Sequence, residues 1–187
     1  EILWQEDIIS AGDVLMVVRN NYFWLDEKSE AGFLANGDII EVTRIKEIIE
    51  RYGFKFAKAS IRLMDYENEN EIDTILLLDT INSESPSLKY DEYKKLYTEV
   101  GLDYKGQKDI NKKIKENEFF NAIQIKFGYS ITCHKAQGGQ WKNVFIDIGY
   151  FKKEMLDKNY LRWLYTAFTR STENLYLIGF NNEFFEN

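Results

Sequence analysis

The residues best equipped for chemistry lie in two short islands near the end of this 187-residue chain. The first, Thr132 to Trp141, reads TCHKAQGGQW and holds the chain's one His (His134), its one Cys (Cys133) and a Gly pair. The second, Thr166 to Ser171, reads TAFTRS. Gly138 and Gly139 let a backbone approach a phosphate or a ribose closely, or else form a plain turn. The amides of Gln137 and Gln140 can hydrogen-bond such groups. Thr132 and His134 can donate to phosphate oxygens, and Lys135 adds positive charge. His134 could equally be a core histidine satisfied by a backbone carbonyl. Arg170 offers a planar fork that matches phosphate geometry, or serves an ordinary surface ion pair. Cys133 has no partner thiol and reads as packing. One His and one Cys cannot build a zinc-type site, and no Ser/His/Asp arrangement can be assembled, so no metal ligands are assigned.

Regular elements must hold these islands. Ile123, Ile125, Phe127 and Tyr129 alternate with polar residues and predict a strand leading into the first island. Val144 to Ile148 predicts a strand leading out. Tyr160 to Thr169 predicts a helix, capped by Asn159, with Tyr160, Leu161, Leu164 and Phe168 forming its apolar stripe and Trp163 with Ala167 widening it. A last strand is expected over Asn174 to Gly179. Strand, Gly-bearing turn and strand place polar groups at a strand's carboxyl end, where open α/β sheets bind ligands.

HKAQG (His134 to Gly138) followed by YTAFTR (Tyr165 to Arg170) resembles motifs V and VI of superfamily 1 helicases. The placement of His134–Lys135 and Gln137–Gly138 is closest to the RecD-type branch rather than the UvrD type. GDVLMVVRNNY (Gly12 to Tyr22) and ANGDIIEV (Ala35 to Val42) are looser echoes of the same branch. The resemblance implies an α/β fold: part of a RecA-like domain of the P-loop NTPase type over 122–187, joined by 1–11, with an inserted β-rich small-barrel module over 12–121. It implies an ATP-dependent DNA helicase that moves 5′ to 3′ and serves DNA repair. Arg170 would then be the catalytic arginine finger. Gln137, Gly138 and Gln140 would line the nucleotide cleft with it, although UvrD-type relatives carry a Glu at the place of Gln140. Thr132, His134 and Lys135 would grip single-stranded DNA. The implied cofactor is ATP, with Mg²⁺ held mainly by an N-terminal motor domain outside this chain. The implied partners are that domain, single-stranded DNA, and nuclease or repair-complex subunits. The rival reading is a non-catalytic nucleic-acid- or protein-binding module derived from a helicase half.

Composition sets outer limits. Hydrophobic residues make up 44% and aromatics 16%, enough for a true core. A single Cys permits no internal disulfide, so a cytoplasmic setting is expected. No apolar run has membrane-spanning length. The net charge of −7 argues against a general nucleic-acid-binding surface but allows a local basic track. The start at Glu1 is expected of a piece of a longer protein.

Upstream, Val14 to Val18 and Ile39 to Ile45 predict a hairpin whose long connection carries Tyr22, Phe23 and Trp24. These aromatics either cover the hairpin's own core or stack bases. Asn36-Gly37 signals a turn. Ser60 to Tyr66 and Glu71 to Leu78 predict two further strands, and several short strands point to a small barrel. The acidic run between them, Asp65 to Asp73, reads as a polar hairpin. Tyr90, Tyr93, Tyr97 and Val100 mark a helix that Gly101 stops. Asp109 to Glu118 predicts a second, highly charged helix.

Nowhere does the sequence contain GxxxxGK[ST], the loop that cradles nucleotide phosphates. The purified chain is therefore expected to show no ATP turnover by itself. A coupled phosphate-release assay checks this, and robust turnover by the isolated chain would overturn it.

Overall fold

A computed structural model describes residues 8–26, 28–66, 70–180 and 184. The chain divides into two compact units, Glu1–Tyr129 and Ser130–Asn187.

The first unit is a closed five-stranded barrel, β1 (Val14–Val17), β2 (Ile39–Arg51), β3 (Phe54–Leu63), β4 (Ile72–Leu77) and β5 (Ile123–Phe127). Neighbours pair antiparallel except β4 and β5, which run parallel through Leu76–Ile123 and Leu77–Gln124. Between β4 and β5 the chain adds two helices, α1 (Tyr90–Leu102) and α2 (Ile110–Lys115). The expected small barrel is present, but its fifth strand comes from Ile123–Phe127, which the sequence reading assigned to the next domain. The compact unit accordingly runs past Asn121 to Tyr129. Only pairing with both β1 and β4 reveals this, because a closing strand has the same alternation as any half-buried strand.

Strand residues on opposite faces serve two different cores. Leu15, Val17, Ile40, Val42, Ala57, Ala59, Ile61, Leu63, Ile123 and Ile125 fill the barrel interior. Phe54 and Phe56 on β3, and Ile75 and Leu77 on β4, project the other way under Leu96, Val100 and Ile114 of the helices. That explains the unbroken run Ile75-Leu76-Leu77-Leu78: both faces of β4 are buried. On α1 the inner positions are Leu96 and Val100, one turn apart. The tyrosines lie at its margin, with Tyr93 and Tyr97 against Phe120 and Tyr90 exposed. Glu92 accepts from the Lys89 N–H at 2.8 Å and secures the helix start. Gly101 does not stop α1. An added Cβ there would sit 3.3 Å from Ile114, so the glycine admits α2.

β2 and β3 are longer than their sequence pattern indicates. They meet at Tyr52-Gly53, both with positive φ (56° and 72°), the backbone of a tight hairpin turn. Register shifts after Val42 and Ile45 break the alternation that would have extended β2 in the sequence. In the Asn36-Gly37 turn only Gly37 takes positive φ, at 111°. Of the acidic run, 67–69 lie outside the described residues. Asp73 accepts from Ser60 Oγ at 2.7 Å and pairs with Lys46, which holds its carboxyl below the usual range.

The second unit contains β6 (Trp141–Asp147), α3 (Lys158–Phe168) and β7 (Ser171–Ile178). β6 and β7 pair in parallel, so the unit is one β-α-β crossover. Ile146, Leu164 and Ala167 are buried. Leu161 and Phe168, expected in the helix stripe, are instead exposed at 56% and 38%. Among the described residues no helix is long and apolar enough to cross a membrane.

Thr80 completes the β4–β5 edge where regular pairing stops. Its hydroxyl accepts from the Ile125 N–H at 3.1 Å and lies 2.8 Å from Leu77 O and 2.9 Å from Ile125 O. The residue is 1% exposed. Thr80→Val leaves that buried N–H unpaired and should cost about 1–3 kcal/mol. A fall in the urea midpoint checks this; an unchanged midpoint would contradict it.

Candidate functional site

The first island follows β5 and precedes β6 as a series of turns. Thr132 O accepts from the N–H groups of Lys135 (2.9 Å) and Ala136 (3.1 Å), and Ala136 O accepts from Gly139 N–H (3.2 Å). This winding sorts the side chains. Ala136 is buried and Cys133 half-buried, with Cys133 Sγ 3.5 Å from Trp163 O on α3. Burial pushes the Cys133 thiol up, opposed by the neighbouring Arg170 charge, so it stays a neutral packing group. Thr132, His134, Lys135, Gln137, Gly138 and Gln140 are exposed. His134 is thus no core histidine.

The two glycines have different reasons to be there. Gly138 has φ of 90°, a backbone that side chains with a Cβ rarely adopt. At Gly139 an added Cβ would lie 2.3 Å from the Trp141 ring. The indole therefore covers the second glycine, and the first makes the bend.

Arg170 sits just past the end of α3. Its Nε donates to Thr166 O, its Nη1 to Gly139 O and its Nη2 to Thr169 Oγ1, each at 3.0 Å. A cation at a helix carboxyl end also meets the negative end of the helix dipole. The Trp141 N–H donates back to Arg170 O at 2.9 Å, and Trp141 pairs with Ser171 as the first register of the sheet. Guanidinium and glycine turn, thirty-one residues apart in sequence, are thereby in direct contact. Of five guanidinium N–H groups three are used, and the other two have no partner among the described residues. Thr132, His134 and Lys135 belong to the exposed side of the same turn.

Sequence reasoning missed three supporting residues. Thr166 and Thr169, inside the second island itself, supply two of the three acceptors for Arg170. Trp141 closes over Gly139. A further signal, the helix cap, was visible but misread. Asp157, not Asn159, caps α3, its Oδ1 accepting from Tyr160 N–H at 2.7 Å. No group of three or more His, Cys, Asp or Glu residues that could hold a metal exists among the described residues.

These features define a mixed α/β chain in which a closed barrel precedes a β-α-β unit whose turn and helix end share one guanidinium. Residues 127–178 match the family model of the UvrD-like helicase C-terminal domain. The match spans the glycine turn, β6, α3 and β7, and supports a UvrD-like helicase C-terminal region there. The search of curated proteins returned no match.

Because Asp157 supplies the cap, Asp157→Ala should destabilise by about 1 kcal/mol, whereas Asn159→Ala should be near neutral. Thermal unfolding of both variants measures the difference. Equal losses would place the helix start elsewhere.

Proposed function

We propose that this chain is the C-terminal part of an ATP-dependent DNA helicase of RecD type that moves 5′ to 3′. The observation that carries the proposal is the Arg170–Gly139 contact, lying inside a region that matches a helicase C-terminal domain. Phosphoryl transfer needs fixed positive charge where negative charge develops. Three hydrogen bonds hold the Arg170 fork in place, and two N–H groups remain for a phosphate. Arg170 is the arginine finger in this reading. The exposed turn at Gln137, Gly138 and Gln140 fits a nucleotide: its bent backbone and two amides meet phosphate or ribose hydroxyls. ATP with Mg²⁺ supplies the transferable phosphate, and the metal is held mainly by a preceding motor domain. Thr132, His134 and Lys135 contact single-stranded DNA.

The second unit also supports a larger sheet. β6 and β7 form a two-stranded parallel sheet, yet Phe145, Tyr176 and Ile178 on it are 65%, 45% and 48% exposed. Phe145 and Tyr176 stack at 4.4 Å. Parallel sheets are ordinarily covered on both faces. Further strands and helices of a RecA-like domain in the full-length protein cover them in this reading.

In the full-length protein, Arg170→Ala and Arg170→Lys should each lower DNA-stimulated ATP turnover by about a thousandfold or more. Single-stranded DNA affinity should stay within about twofold, because that contact belongs to other residues. Turnover near the wild-type rate in either variant would remove the finger role. A full-length protein with no DNA-stimulated turnover at all would favour a binding module.

A further inference from the structure

A cleft of about 310 Å³ opens on the barrel unit, between the β1–β2 connection, α1 and the segment leading into β5. None of its residues belongs to the site described above. Its charged lining is Arg19 and Lys115, and no carboxylate lines it, although the whole chain carries a net charge of −7. A cationic concavity on an acidic body selects anions. Neither cation has an ion-pair partner among the described residues. The Arg19 guanidinium lies over the Tyr93 ring, 4.6 Å from its centroid, which steadies it without using its N–H groups.

Aromatic rings supply the rest of the wall. Tyr22 stacks on Phe33 at 4.7 Å, yet is 70% exposed. Phe23 is 37% exposed. Phe120 lines the cleft beside Tyr93. The loop bearing Tyr22 and Phe23 is tied down: Asn21 Nδ2 and Trp24 Nε1 both donate to Asn121 O, at 2.7 and 2.8 Å. Gln124 is only 7% exposed. Its Oε1 accepts from Leu88 N–H at 2.9 Å, and its Nε2 has no acceptor among the described residues. Gln124 lines the cleft, so an unengaged amide donor there can meet a ligand acceptor or water.

We propose that this cleft binds a single nucleotide unit, its base against the Tyr22 and Phe23 rings, its phosphate between Arg19 and Lys115, and a base acceptor on Gln124 Nε2. Stacking accepts any base because every base has a π face, and the cations account for the phosphate. The volume lies at the small end of ligand pockets, about 300–1,000 Å³, which suits one nucleotide. The unit comes either from a free nucleotide or from one residue of a single strand.

The test titrates the 187-residue chain with AMP, dTMP, inorganic phosphate and a 5′-phosphorylated oligothymidylate, read by calorimetry. Saturable binding of a nucleoside monophosphate, tighter than that of inorganic phosphate, is expected. Tyr22→Ala, and separately Arg19→Gln with Lys115→Gln, should weaken it about tenfold or more. Tyr90→Ala, an exposed tyrosine outside the cleft, should leave it unchanged. Equal affinities for mononucleotide and oligonucleotide identify a free nucleotide as the source, and much tighter oligonucleotide binding identifies a strand. No saturable binding, binding no tighter than phosphate, or binding that survives both cleft variants would overturn the proposal. The helicase reading would survive any of these, since it rests on Arg170 and the glycine turn.

Discussion

A half-buried guanidinium needs acceptors, and the second unit is arranged around supplying them. Arg170 finds its acceptors in Thr166 O, Thr169 Oγ1 and Gly139 O. The first two come from the last turn of α3, the third from a turn preceding β6. One side chain therefore locks the end of the helix to the start of the sheet. The return bond from Trp141 N–H to Arg170 O fixes the register at which β6 and β7 begin to pair. The register shift between Trp141 and Asn143 falls at this junction. The glycines follow from the same constraint. A bend with positive φ brings the carbonyl of Gly139 to the guanidinium, and an indole covers the space a side chain would take.

The barrel depends on a different constraint, the need to bury two faces of short strands. β3 and β4 send alternate residues to the interior and to the helices outside. α1 and α2 are thus a second layer, and Gly101 is the point where they come close enough to seal it. Phe119 joins this outer core, where its ring meets Phe56 edge-on at 5.1 Å. Arg51 lies over Tyr52 and Phe119 and pairs with Asp103 at 2.7 Å, fastening the β2–β3 turn to the end of α1. Burial and the hydrogen bond to Asp103 push the Tyr52 hydroxyl up to about 12, so it remains a donor throughout the neutral range.

Several elements were legible because local chemistry decides them. The alternation Ile123–Ile125–Phe127, the crossover helix and the two polar islands could be read directly, and the islands pointed to the region that matches a helicase C-terminal domain. Other elements were not. The continuation of β2 past Ile45 was hidden by register shifts, since a displaced residue inverts the apparent alternation. The stripe of α3 was read over Tyr160, Leu161, Leu164 and Phe168, widened by Trp163 and Ala167; Leu164 and Ala167 do turn inward, while Leu161 and Phe168 are exposed. Periodicity alone cannot choose between neighbouring apolar arcs on one helix. The cap was placed at Asn159 because Asn is a good capping residue; Asp157 is another, two residues earlier, and backbone geometry selects it.

By itself the sequence determined the residue types, their order and the local conformations that glycine, apolar alternation and helical spacing impose. Only the tertiary structure decided that β5 closes the barrel, that His134 faces outward while Cys133 packs inward, and that Arg170 reaches Gly139. The reason is physical: strand partners, the facing of a side chain and a contact across thirty-one residues depend on distances that sequence separation does not encode. They emerge when buried donors and apolar faces must all be satisfied at once.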